Sequence, residues 1–256
     1  MLLAIDIGNT NIVLGAYEGD RLLGSWRTAT AVHRMADEYA MLTNSFLSYR
    51  GLSLADVKHV AICSGVPTLL TTFEEFCQRY LGVKPLVVGP GIKTGIRILY
   101  ENPREVGADR IANAVAAHRL YGGPIIVVDF GTGTTFDAIS AEGDYLGGAI
   151  APGITIAAEA LFQRAARLYR VELTRPKTAI GRTTATSMQS GIIFGYVGLI
   201  EGLVARFKQE MGPARVIATG GLAEIVAQET SVVDLVDQGL TLEGLRLIFE
   251  MNRPAE

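Results

Sequence analysis

Two short segments of the chain combine a carboxylate, glycine and neutral hydrogen-bond donors in the same order. Asp6-Ile7-Gly8-Asn9-Thr10-Asn11 and Asp129-Phe130-Gly131-Thr132-Gly133-Thr134-Thr135 each end an apolar run with an aspartate, two residues ahead of a glycine. Glycine lets backbone N–H groups approach an anion, and Thr and Asn add donors without charge. That pattern suits phosphate. An aspartate repels phosphate, so its place there makes sense through a cation such as Mg2+, which takes one or two carboxylates together with substrate oxygens. One such turn alone reads as a plain hairpin with an Asx bond. Two copies at matching places favour a phosphate site. Neither common nucleotide motif accounts for it: Gly89-Pro90-Gly91-Ile92-Lys93-Thr94 has Ile92 where a Walker loop needs glycine, and Gly131-Thr132-Gly133-Thr134-Thr135 runs into Phe136 rather than a third glycine.

Two further segments carry chemistry. Thr219-Gly220-Gly221 joins an expected strand to an expected helix, a turn on which a flat ring could lie, or simply a tight turn. Asn102-Pro103-Arg104-Glu105-Val106-Gly107-Ala108-Asp109-Arg110 opens an expected helix with Pro103 in its first turn. Asp109 and Asn113 are four apart on one face, and Gly107 and Ala108 keep the backbone open beside the carboxylate. The segment supports two readings: a dipole-favourable Asp with a solvated Arg, or a general base beside a ligand.

The elements that must position these residues repeat. Residues 2–24 and 125–148 share an order: apolar run, Asp-x-Gly, polar turn, second apolar run, Glu-Gly-Asp turn, third apolar run. Asp6 matches Asp129 and Gly8 matches Gly131, 123 positions apart, and Glu18-Gly19-Asp20 matches Glu142-Gly143-Asp144. This predicts a duplicated chain. After the first copy, spacing predicts a helix over 35–50, a strand at 57–63, a helix after Pro67, a strand at 85–88 and a helix from 103 to 121. After the second it predicts a helix over 187–207, a strand at 215–218, a helix from 222, a strand at 232–235 and a last helix over 242–251. The expected fold is α/β, with two halves, 1–120 and 121–256, each a mixed five-stranded sheet with helices, facing across a cleft.

Composition narrows the partners. Apolar residues make up 49% and charged residues 19%, enough for a large core and against disorder. A formal net charge of −3 gives no footprint for nucleic acid or anionic membrane. The opening MLLAID lacks a basic leader, and the charge-free stretch 183–200 contains about ten apolar residues where a membrane span needs about 20. A cytoplasmic location is expected. Two cysteines make neither a disulfide framework nor a four-ligand zinc site; Cys63 is expected to pack in a strand and Cys77 in a helix. His33, His59 and His118 lie far apart without ligand spacing, and Trp26 is expected in a strand.

The two Asp-Gly loops and the late Thr-Gly-Gly resemble the actin, sugar-kinase and acetate-kinase superfold, whose halves are ribonuclease H-like. Within it the chain resembles type III pantothenate kinase. The resemblance rests on residues 6–11, 100–110, 129–132, 147–153 (Gly147-Gly148-Ala149-Ile150-Ala151-Pro152-Gly153) and 187–191 (Ser187-Met188-Gln189-Ser190-Gly191), five blocks in the family's order. It implies phosphorylation of pantothenate by ATP, the entry to coenzyme A. It implies that Asp6, Ile7, Gly8, Asn9, Thr10, Asn11, Ile12 and Val13 cradle the ATP phosphates with Thr132. Tyr100, Gly107, Ala108, Asp109 and Arg110 would bind pantothenate, with Asp109 as proton acceptor. Asp129 falls on the family's monovalent-cation position, for K+ or NH4+, where the residues alone suggest Mg2+. Thr184 falls on a substrate-binding Thr, although Gly181-Arg182-Thr183-Thr184 keeps only two of that segment's four residues. The broad apolar face made by Ile192, Ile193, Tyr196, Leu199, Ile200, Leu203 and Phe207 suits a core helix, and also the homodimer that the family forms. Two rivals remain at this point: another small-molecule kinase of the superfold, such as a sugar kinase, and a nucleotide-binding regulator without transfer activity.

Overall fold

In the computed structural model, which describes residues 1–165 and 168–253, the opening apolar run forms β1 (Leu2–Ile7). β2 (Asn11–Glu18) and β3 (Arg21–Ala29) follow it in an antiparallel meander. Gly19, at φ +62°, supplies the left-handed turn between them. Then come α1 (Ala36–Ser48), β4 (His59–Ser64), α2 (Pro67–Phe76), β5 (Leu86–Val87) and α3 (Ala108–Tyr121). β4 lies parallel to β1 on its other edge, giving the sheet order β3-β2-β1-β4-β5. Leu3, Ile5 and Ile7 of β1 and Val60 and Ile62 of β4 pack with Tyr39, Leu47, Phe73 and Phe76 of α1 and α2. Each such large side chain contributes roughly 1.5–3 kcal/mol by leaving water. Because strand side chains alternate, Ala4, Asp6, Ala61 and Cys63 belong to the opposite face.

The second copy builds β6 (Ile125–Phe130), β7 (Gly133–Ile139), β8 (Tyr145–Pro152), α4 (Ile154–Arg164), α5 (Thr184–Met211), β9 (Arg215–Thr219), α6 (Ala223–Ala227) and β10 (Leu235–Val236). Its sheet order, β10-β9-β6-β7-β8, repeats the first element for element. The correspondence extends to detail: β2 has a register irregularity at Ala16/Tyr17 and β7 one at Ala138/Ile139, and Gly143 turns at φ +89° as Gly19 does. Ile126, Val128 and Phe130 take the places of Leu3, Ile5 and Ile7 and pack under Ile193, Tyr196, Ile200 and Val204 of α5. α5 is long and apolar enough to cross a membrane by length and composition, and it uses that apolar face on its own sheet.

Three expectations need correction, and one helix lies where none was expected. The last helix, α7 (Leu240–Asn252), belongs to the first unit with residues 1–121, whereas residues 122–238 form the second, so the expected division at 120/121 does not hold for the C-terminal segment. It packs on α3 and the free face of β1 and β4, where Phe249 lies 5.0 Å from His59, ring centroid to centroid. Gly244 permits the crossing, since a Cβ there would overlap the Ala112 carbonyl. Helix α4, not anticipated from the sequence, starts directly after Gly153, at the end of β8. The strand expected at 232–235 is displaced to Leu235–Val236, leaving Val232 and Val233 to pack against the core from a bend. The helix expected from Pro103 is interrupted: Pro103–Glu105 is a 3-10 turn, Val106 is extended and buried, and α3 starts at Ala108.

Candidate active site

The first loop is shaped by its own backbone. Gly8 N–H donates to the Asn11 carbonyl at 3.0 Å, and a Cβ on Gly8 would sit 2.9 Å from that oxygen, so this turn requires glycine. Thr30, just past β3, clamps the loop from the side: its hydroxyl donates to Gly8 O at 2.6 Å and its N–H to Thr10 O at 2.9 Å. Asn9, Thr10 and Asn11 are exposed at the tip, while Ile7 and Ile12 are fully buried in the α1–α2 core. Ile7 and Ile12 can therefore meet a nucleotide only through their backbone.

Asp6 is the register partner of Val13 on β2 and of Cys63 on β4. The Cys63 thiol donates to Asp6 Oδ1 at 3.2 Å. Burial first, then the charges of Asp6 and Asp109, push that thiol's pKa up, so it is protonated and serves as the donor. Helix α3, which carries Asp109, packs against β4, the strand of Cys63.

Asp109 stands in the first turn of α3, where the helix dipole favours a carboxylate. Its Oδ1 accepts the Arg110 N–H at 2.9 Å. The 3-10 turn ahead of it is tied by Asn102, whose side chain accepts from Arg104 N at 3.3 Å and donates to Glu105 at 2.8 Å. Gly107 makes room for the carboxylate. Arg110 is buried, 6% exposed, and is not the solvated arginine of the generic reading. Tyr100 is half-buried on the irregular segment leading into the turn.

In the second unit Asp129 is the register partner of Thr135 and Thr219. Gly220, at φ +90°, closes over it: a Cβ would lie 2.5 Å from Asp129 Oδ1 and 2.7 Å from Phe130 N. Gly153 N–H donates to Thr132 O at 3.2 Å, and a Cβ on Gly153 would overlap that oxygen. The loop is also held from below, where the Thr134 hydroxyl is hydrogen-bonded to Tyr196 of α5. Thr132 is exposed. Thr184 is exposed in the first turn of α5, behind the Thr183 cap, and lines a groove of about 980 Å³ between α4 and α5. The groove is apolar along Ile154, Leu161, Ile192 and Leu199, with Thr183 and Thr184 at its polar end.

The first unit thus carries Asp6, the 8–11 loop, Asp109 and Arg110, and the second carries Asp129 and Thr132 at the loop, with Thr184 in the α4–α5 groove. Among the described residues no three of His, Cys, Asp and Glu cluster as a metal cage. The donor set fits a cation held by one carboxylate and completed by phosphate oxygens. The sequence pattern gives Cys63 and Tyr196 only apolar packing roles and does not single out Thr30; the strand-end positions of Cys63 and Thr30 are the available signal.

The family model described as type III pantothenate kinase matches residues 2–206. The chain is 56% identical over 253 residues to the type III pantothenate kinase of Moorella thermoacetica, covering 98% of this chain and 100% of that one. It is 53% identical to that of Myxococcus xanthus, covering 98% and 99%. Among solved structures, a Campylobacter jejuni protein assigned to the Baf family of transcriptional activators superposes with a TM-score of 0.64 at 20% identity, covering 98% of each chain. A ROK hexokinase from Thermus thermophilus superposes with a TM-score of 0.50 at 17% identity, covering 96% and 97%. These last two likenesses bear on the fold, the duplicated one of the actin-like sugar kinases.

Proposed function

The chain belongs to the type III pantothenate kinase family, which phosphorylates pantothenate at the expense of ATP in coenzyme A biosynthesis, and we propose that Asp109 is the base of that reaction in this chain. The observation that carries this reading is the setting of Asp109: a helix N-terminus, an N–H bond to one oxygen, and a glycine beside it that leaves the carboxylate space. Pantothenate, bound by Tyr100, Gly107, Ala108, Arg110 and Thr184, presents its primary hydroxyl. Asp109 takes the hydroxyl proton as the oxygen attacks the γ-phosphorus and ADP departs. Asp6 to Val13 and Thr132 hold the phosphates through backbone N–H groups and neutral side chains, and Arg110 offsets charge on the acceptor side.

The divalent cation required by such phosphotransfer supplies charge neutralisation on the β- and γ-phosphates. We assign it as Mg2+, with Asp6 oriented toward it, and assign K+ or NH4+ to Asp129, following the family pattern. The active form is a cytoplasmic homodimer without nucleic-acid or membrane partners. Supporting the dimer, Gly191, Gly195, Gly198 and Gly202 line one side of α5, and a Cβ on any of them would meet only open space.

The test is ADP release by the purified chain with ATP, Mg2+ and pantothenate, in K+ or in Na+. Pantothenate-dependent turnover enhanced by K+ is expected. Turnover with a sugar but none with pantothenate would overturn the substrate assignment, and ATP binding without any turnover would leave a regulator.

A further inference from the structure

Cys63 has no place in the reaction just described, yet it touches the reaction's first carboxylate. It is fully buried, and its strand neighbours Val60 and Ile62 already fill the α1–α2 core from the other face of the sheet. Cys63 instead shares the face of Asp6, its register partner, and gives its hydrogen to Asp6 Oδ1. The second unit repeats the arrangement. Thr219 stands at the same register beside Asp129, again a short side chain with one hydrogen to donate; glycine follows at once there, at Gly220, and one residue later here, at Gly65. Two halves with different sequences keep a donor beside the loop aspartate, which core filling alone does not require.

We propose that Cys63 is a positioning residue whose S–H sets the orientation of the Asp6 carboxylate toward the cation on the ATP phosphates. This rests on the reading of Asp6 given above. A carboxylate on a strand end turns freely about its last torsion unless one oxygen is held, and a thiol holds it without adding charge that would compete with the cation.

The experiment measures ADP binding calorimetrically in the full chain, with Mg2+ and with EDTA, and takes the ratio of the two affinities. Cys63→Ala lowers that ratio by about threefold to tenfold, the scale of one ordinary hydrogen bond, as suits a weak S–H donor, while metal-free ADP affinity stays unchanged. Cys63→Ser, which keeps a donor, restores most of the ratio. The Mg2+ concentration for half-maximal turnover rises by the same factor, and KM for pantothenate does not move. If Cys63→Ala melts too low for study, Cys63→Val removes the donor without leaving a cavity. An unchanged ratio in Cys63→Ala or Cys63→Val overturns the proposal, as does equal loss in the Ser and Ala variants, which would mean packing alone. Asp6→Asn separates the two layers. If it keeps the wild-type ratio, the reading of Asp6 is wrong; if it loses the ratio while Cys63→Ala keeps it, only the role of Cys63 falls.

Discussion

A Cβ on Gly107 would lie 2.5 Å from Oδ1 of Asp109. No real side chain accepts that distance, so the glycine is there to let the carboxylate keep its place against the Arg110 N–H. Gly107→Ala is expected to push Asp109 off its seat. We predict at least about a tenfold fall in kcat, on the scale of losing part of a general-base contribution, with a small change in melting temperature. Unaltered kcat would show that the carboxylate has room to spare.

Asp109→Asn tests the base directly. The amide is nearly isosteric and its carbonyl oxygen can still accept the Arg110 N–H, so the fold should survive. Turnover should fall by about 10²- to 10⁴-fold, with ADP binding unchanged by calorimetry. Normal turnover removes Asp109 from the proton transfer.

Asp129→Ala separates two cations. If Asp129 holds the monovalent ion, the variant loses the difference in rate between K+ and Na+ while its Mg2+ dependence persists. A preserved K+ response with a weakened Mg2+ response would return Asp129 to the divalent ion.

Both thiols are buried, and burial pushes Cys77 to about 12 and Cys63 upward as well. A raised pKa leaves the thiol protonated, and only the thiolate reacts with a disulfide reagent. At pH 8 the native chain should therefore show no titratable thiol on the minute timescale and two after denaturation. Rapid labelling of the native chain would contradict the burial described here.

Gly244 faces the Ala112 carbonyl at the crossing of α3 and α7. Gly244→Ala should destabilise the first unit by about 1–3 kcal/mol through overpacking, despite the better helix propensity of alanine. A lower midpoint in urea is the expected readout, and an unchanged or higher one would mean that the helices separate without penalty.

Much of this arrangement was legible in the sequence because its signals are local. The apolar runs of β1 and β6, the Asp-x-Gly turns and the Glu-Gly-Asp turns each lie within a few residues, and comparing the two copies supplied the duplication. What escaped was set by contacts between distant residues. Thr30 reaches back to Gly8 and Thr10 across two strands, and Cys63 meets Asp6 only after β4 has docked beside β1. Helix α3 shows the same limit: residues 110–117 are all buried, with α7 and β4 packed against the helix, so its alanines carry no one-sided apolar pattern. The interruption at Val106 depends on burial of that one side chain, which spacing does not reveal.

The placement of α7 has a consequence for synthesis. The first unit is discontinuous in the chain: its sheet is complete by residue 87, but the helix covering one face of β1 and β4 follows the whole second unit. Translation proceeds from the N-terminus, so the second unit leaves the ribosome with all of its elements while the first still waits for its closing helix. During that interval Ala4, Ala61 and Cys63 lack their cover, and Asp6 lies at the edge of an unfinished surface. A nascent chain stalled before residue 240 would expose that face to chaperones, and release of the last helix would bury it.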